Sequence, residues 1–166
     1  MIVGNGDLAK VLKSIDRCDV NFFASGVSNS GEVSQDEFDR EKDLLLEQKI
    51  NVHLVYFSSL GVFFDNSPYL EHKRNMEYIV RQFRSYTIVR IGNITWGDNK
   101  HTLINYLKAH PEAKRKPVWR HLIDKEDFLY WVSLVPVGEK HEFNITGRRI
   151  WVPDLVFAQL VLNGKS

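Results

Sequence analysis

Val55-Tyr-Phe-Ser-Ser-Leu-Gly-Val-Phe-Phe64, followed by Ser67-Pro-Tyr-Leu-Glu-His-Lys73, is the stretch around which the chain is organised. The apolar run Ile50 to Phe57 reads as a buried strand that gives way to a loop at Ser58 and Ser59. Ser67 suits a helix N-cap and Pro68 the first helical position, which predicts a helix over 69–83. Tyr69 and Lys73, four residues apart, then share one helix face. A serine hydroxyl, a phenol and an ammonium converge beside the strand end. That is the equipment for moving a proton to or from a carbinol oxygen. The charge on Lys73 is expected to lower the Tyr69 pKa and let the phenol act as a base nearer neutral pH. Tyr-x-x-x-Lys alone is also a common pattern of helix surfaces, so the flanking sequence has to carry part of the reading.

Toward the N-terminus, Met1-Ile-Val-Gly-Asn-Gly-Asp-Leu-Ala-Lys10 is a short strand, a glycine turn and the start of a helix. Gly4-x-Gly6-x-x-Ala9 has the dinucleotide-binding form. Gly4 permits a tight turn, Gly6 lets backbone approach a pyrophosphate, and Ala9 allows close helix–strand packing. The helix N-terminus offers free N–H groups to phosphate. Leu8, Val11, Leu12 and Ile15 continue at helical spacing. A tight turn without a ligand is the plainer reading of the same residues. The next strand runs over 19–26 and ends in the small residues Ala24, Ser25 and Gly26. A helix is predicted over 36–48, with Ser34 as N-cap and Glu37 completing a capping box. Phe38, Leu44, Leu45 and Leu46 form its apolar face, and its charges read as a solvated face.

Downstream, Tyr86 to Gly97 reads as a strand and a loop, 98–109 as a helix stopped by Pro111, and 110–117 as a basic polar loop. Phe128, Leu129, Val132 and Leu134 form a further apolar element. Met76, Ile79, Val80 and Phe83 recur at helical spacing and read as core.

Ser-Ser followed by Tyr-x-x-x-Lys resembles the catalytic signature of the short-chain dehydrogenases/reductases. The fuller string Phe57-Ser58-Ser59-Leu-Gly-Val-Phe63 with Ser67-Pro-Tyr69-x-x-x-Lys73 is similar to their extended branch, the nucleotide-sugar epimerases, dehydratases and reductases. Further matches follow in order: Phe23-Ala24-Ser25-Gly26, Arg90-x-x-Asn93 with Gly97, Arg120 to Asp127, Asn144-Ile-x-Gly147, and Trp151 to Phe157 with Asp154 at the start of a last helix. The resemblance implies an α/β fold: a Rossmann-type, mostly parallel sheet with helices on both faces and a small C-terminal substrate region. It implies NAD or NADP contacts from Gly4, Asn5, Gly6, Asp7, Leu8, Ala24, Ser25, Gly26, Tyr69, Lys73 and Ile94. Tyr69 would be the acid/base, and Lys73 would hold the nicotinamide ribose. Ser59, with Ser58 as fallback, would bond the reacting oxygen. Ser59, Asn93 and Arg120 would contact a nucleotide-sugar, and Lys114, Arg115 and Lys116 are phosphate candidates. Family dehydratases carry an acidic pair just after the serine, where this chain has Leu60 and Gly61. That argues against dehydration.

The sequence departs from the family between the glycine turn and Asp19. Two strands are missing there, and with them the position that reads the adenosine ribose or a 2′-phosphate. NAD and NADP are therefore not distinguished. The sheet is expected to be shortened by about two strands, with the first strand at an edge where a second copy could pair. Residues 1–97 form the shortened dinucleotide-binding core, and 98–166 the substrate region packed onto it as one domain.

Composition adds bounds. The chain has 166 residues, a net charge of +1 and one cysteine, Cys18. It is long enough for a core, offers no charge excess to suggest a nucleic-acid partner, and cannot form an internal disulfide, which suits a cytoplasmic setting. No run suits a bilayer span, and the chain opens on a strand rather than a signal peptide. Its six histidines are scattered without ligand spacing, so no metal is expected. No Gly-x-Ser-x-Gly elbow is present. Two functions fit: an NAD(P)-dependent oxidoreductase or epimerase on a nucleotide-activated sugar, or a degenerate, non-catalytic relative that binds a nucleotide or a partner protein.

Overall fold

A computed structural model describes residues 1–48 and 51–155. The main sheet is wholly parallel and is built from β1 (Ile2–Val3), β2 (Val20–Phe23), β3 (His53–Ser59), β4 (Tyr86–Ile91) and β7 (Lys140–Ile145), in the order β1-β2-β3-β4-β7. Between these strands lie α1 (Asp7–Leu12), α2 (Gln35–Leu46), α3 (Pro68–Val80), α4 (Leu103–Ala109) and α5 (Lys125–Ser133). A second, three-stranded sheet joins β5 (Asn93–Ile94), β6 (Trp119–Ile123) and β8 (Arg148–Trp151), with β6 parallel to β5 and antiparallel to β8.

The central strands β2, β3 and β4 are buried on both sides because both sides are covered, whereas β7 at the edge is largely exposed. Side chains alternate across the sheet. Phe22, Val55, Phe57 and Val89 therefore enter one core, with Leu12 of α1 and Phe128 and Val132 of α5. Phe23, Leu54, Tyr56 and Ile88 enter the other, with Leu45 of α2 and Met76 and Val80 of α3. Burying a side chain of this size is worth about 1.5–3 kcal/mol, so two such faces readily set the register. The second sheet and α4 close a third cluster around Ile104, Leu107 and Leu122.

A doubly wound sheet ordinarily continues outward past its first strand. Here, among the described residues, β1 pairs only with β2, through Ile2–Phe22 and Val3–Phe23, and ends the sheet. The fold is thus the Rossmann-type α/β fold shortened on the β1 side. The strand expected from Ile50 begins at His53, and Ile50 itself lies outside the described residues, as does the last helix expected after Asp154. Asp154 closes a 3-10 turn, Val152–Asp154. The loop expected after Ile91 contains the short strand β5, because Asn93 and Ile94 have β6 to pair with.

Helix starts differ in how they are made. Ser67 caps α3 as the sequence suggests, its Oγ accepting the Leu70 N–H at 3.2 Å, with Pro68 following. Ser34 precedes α2 but makes no side-chain cap bond, so the expected capping box does not form. Glu32 also takes the donor that Glu37 would need for its half of the box: its Oε1 accepts the N–H groups of Val33 and Ser34, each at 3.0 Å. Glu37, left without that role, pairs with Arg40 at 3.0 Å.

Candidate active site

Parallel strands leave a crevice at their carboxyl ends, where the loops diverge. In this chain it is a cleft of about 960 Å³, at the upper end of the usual range for ligand sites. One wall is the glycine turn, Asn5, Gly6, Asp7 and Leu8, and beside it are Ala24, Ser25 and Gly26. Ser58, Ser59, Tyr69 and Lys73 line the same cleft, as do Asn93, Ile94 and Arg120. Gly4 lies beneath the turn rather than in the wall. Its φ is +123°, and a Cβ there would sit 2.4 Å from the Ala24 carbonyl oxygen, so only glycine lets the turn pack on β2. Around Gly6 the space is open, which leaves room for a ligand to approach the backbone.

Asp7 is engaged within the protein. Its carboxylate accepts the backbone N–H groups of Asp98 and Asn99 at 3.1 and 3.0 Å and lies 3.7 Å from Lys10. It ties the glycine turn to the loop after β5. Asn93 likewise gives its amide to the His121 carbonyl at 3.2 Å. Arg120 is half-exposed, 3.9 Å from Asp65 across the cleft mouth. Arg90, in the Arg-x-x-Asn match, is buried. It pairs with Glu77 and Glu142, each at 2.6 Å, and stacks on Phe63.

Ser59 ends β3, and its Oγ accepts the Gly61 N–H at 3.1 Å. The Ser58 hydroxyl is buried and has no hydrogen-bond partner among the described residues. Leu60 and Gly61 place no carboxylate beside them.

Lys73 is where the structure departs most from the sequence reading. It is 2% exposed, and its ammonium donates to Glu41 Oε1 at 2.8 Å, to Glu41 Oε2 at 3.1 Å and to the Tyr56 hydroxyl at 3.2 Å. An ammonium has three N–H donors, and these contacts engage them. Glu41 is itself fully buried and also accepts the Val27 N–H and the Tyr56 hydroxyl, each at 2.7 Å, while His72 Nε2 lies at 3.0 Å. Burial alone would raise the Glu41 carboxyl. Lys73, His72 and Tyr56 outweigh it and hold the group well below the usual carboxylate range.

The Tyr69 pKa moves opposite to expectation. Burial raises it most, Lys73 lowers it, Glu41 raises it and Ser59 lowers it, with the net effect above the ordinary phenol value. Lys73 acts in the direction the sequence suggested but is outweighed by partial burial of the phenol and by its own counter-ion, Glu41. The expectation of a solvated charged face on α2 is also corrected, since Glu41 points inward. The signal was present: Phe38, Glu41 and Leu45 recur at i, i+3 and i+7, so the carboxylate occupies a slot in the buried stripe.

No family model matches the sequence, and no curated protein matches it. Solved structures do match in fold. A dTDP-glucose 4,6-dehydratase from Bacillus anthracis, in complex with NAD, superposes with a TM-score of 0.61 at 20% identity over 96% of this chain and 61% of that one. The Bordetella bronchiseptica enzyme WbmG, also with NAD, gives 0.62 at 15% identity over 96% and 61%. RMD from Pseudomonas aeruginosa, with NADPH, gives 0.54 at 13% identity over 82% and 62%. The chain therefore shares the fold of these proteins in a shortened form, and it spans about three fifths of their length.

Proposed function

We propose that the chain is an NAD(P)-dependent oxidoreductase or epimerase acting on a nucleotide-activated sugar. The observation that carries this reading is the shared cleft: glycine turn, Ser59, Tyr69 and Lys73 open on one space, with Asn93 and Arg120 also lining it. The fold neighbours solved with NAD or NADPH support it. The open space at Gly6 and the small residues Ala24, Ser25 and Gly26 suit a dinucleotide, held through the backbone of the glycine turn, with Ile94 toward the nicotinamide. When bound, that cofactor supplies or accepts a hydride. The chain's own part is to orient the sugar and move a proton. Tyr69 Oη exchanges the proton with the substrate's hydroxyl or keto oxygen, and the Ser59 hydroxyl bonds the same oxygen, with Ser58 adjacent. Residues 98–166 supply the substrate side, through Arg120 toward a diphosphate. With no carboxylate at Leu60 or Gly61, the reading stays with epimerisation or reduction.

A second reading, a non-catalytic relative that binds a nucleotide or a partner protein, is favoured by the Lys73–Glu41 pairing and by the sheet ending at β1. Calorimetric titration with NAD, NADH, NADP and NADPH separates the two. Micromolar binding of one dinucleotide is the expected result and justifies assays with nucleotide-sugars. A folded protein that binds none of the four belongs to the second reading. Once turnover is found, Tyr69→Phe should lower it by about 10²-fold or more in a protein that still folds. Unchanged turnover rejects the mechanism.

A further inference from the structure

Glu41 belongs to no part of the reaction scheme, yet it is the most completely satisfied charge near the cleft. Four elements converge on it. The loop after β2 supplies the Val27 N–H, α2 carries Glu41 itself, β3 supplies Tyr56, and α3 supplies His72 and Lys73. Gly26 completes the fit, because a Cβ there would lie 2.7 Å from Lys73 Nζ and 3.0 Å from Glu41 Oε1. The Lys73 ammonium meanwhile stands 5.7 Å from the centre of the Tyr69 ring. An unopposed positive charge at that range stabilises a phenolate.

We propose that Glu41 is a positioning residue for the Tyr69–Lys73 pair: its carboxylate holds the Lys73 ammonium against α2 and makes the two a net-neutral unit beside Tyr69, so that the phenol stays protonated and acts as the proton donor. The proposal rests on the functional reading above and deepens it. It favours delivery of a proton to a carbonyl oxygen over removal of one from a hydroxyl. The groups that act on the Tyr69 phenol are Lys73 on its own helix, Glu41 on α2, and Ser59 and Tyr56 on β3, with His72 bonded to Glu41. The direction of the Tyr69 shift, with Glu41 raising and Lys73 lowering, agrees with this arrangement.

The test needs no substrate or cofactor, so its failure is distinct from failure of the functional reading. Protein labelled with ¹³Cζ-tyrosine is titrated by NMR, and the Tyr69 resonance among the six tyrosines is assigned by its loss in Tyr69→Phe. Glu41→Gln keeps the shape and removes the charge. The Tyr69 midpoint should fall by about one pH unit or more. In Glu41→Gln with Lys73→Met, which removes both charges, it should return to within about half a unit of wild type. A midpoint unchanged in folded Glu41→Gln overturns the proposal and leaves Glu41 a structural ion-pair partner. If Glu41→Gln does not fold, the double variant decides, because it buries no charge. A wild-type midpoint supports the proposal. A midpoint raised by about a unit or more refutes it, since Lys73 must then have acted on Tyr69 unopposed.

Discussion

At the scale of single residues, the stability of this site rests on charges that are buried together. A buried ion pair is a poor source of net stability, but removing one partner strands the other and costs about 3–5 kcal/mol. Lys73 is 2% exposed, and Glu41→Ala leaves it the Tyr56 hydroxyl as its one remaining acceptor among the described residues. The expected loss in urea unfolding is about 3–5 kcal/mol, and the double variant Glu41→Gln with Lys73→Met should lose clearly less. A loss under about 1 kcal/mol for Glu41→Ala would show that water reaches Lys73 and that the pair is not the closed unit described. Ser59, Tyr69 and Lys73 were legible in the sequence, since a strand end, an N-cap and an i, i+4 spacing are local signals. Their electrostatics were not. The sign of the Tyr69 shift depends on Glu41, which lies 32 residues before Lys73 in the chain.

At the scale of elements, two serines that look alike in sequence do different work. Ser67 accepts the Leu70 N–H, so Ser67→Ala should cost about 1 kcal/mol in thermal or urea unfolding. Ser34 makes no cap bond, so Ser34→Ala should stay within about 0.5 kcal/mol. A capping box needs the N-cap N–H to be free for the acidic residue three positions on, and Glu32 has already taken it. A similar contrast applies to the glycine turn. Gly4 combines a positive φ with the close Ala24 carbonyl, so Gly4→Ala should destabilise by about 2 kcal/mol or more and loosen β1 from β2. Gly6 has open space and an ordinary φ of −73°, so Gly6→Ala should fold normally. If that variant weakens dinucleotide binding in calorimetry, the effect belongs to the site rather than to the fold.

Across the whole molecule, charge also clamps α3 to β4 and β7. Arg90 on β4 pairs with Glu77 on α3 and Glu142 on β7, and Arg81, just past α3, also reaches Glu142 at 2.8 Å. The Arg81 hydrogen bond is the main influence on the Glu142 carboxyl and, with Arg90, outweighs partial burial to hold it down to about 2, against an ordinary value of 4.5. A depressed carboxyl contributes stability that is present above its unfolded value and lost as pH falls through its folded value. The loss from this group therefore runs from about pH 4.5 down to about pH 2. Glu41, depressed as well, adds to the same acid limb. Because the Glu142 side chain is 35% exposed, screening leaves about 1 kcal/mol of its contribution. Glu142→Gln should lower stability by about that much above pH 5 and converge with wild type near pH 2. Melting temperatures measured across that range provide the check, and curves that stay parallel to pH 2 would contradict it.

The sequence by itself determined the order and type of most elements, the parallel Rossmann-type sheet shortened beyond its first strand, and the residues that meet in the cleft. Those features are written in local period, caps and turns, which neighbouring residues specify. Only the tertiary structure decided that Glu41 faces inward and engages Lys73, that Asp7 ties down a loop some ninety residues away, and that the Tyr69 phenol is raised rather than lowered. Each depends on which charge is left beside which after the strands have paired, and on how much water is excluded there. A one-dimensional pattern does not encode either quantity.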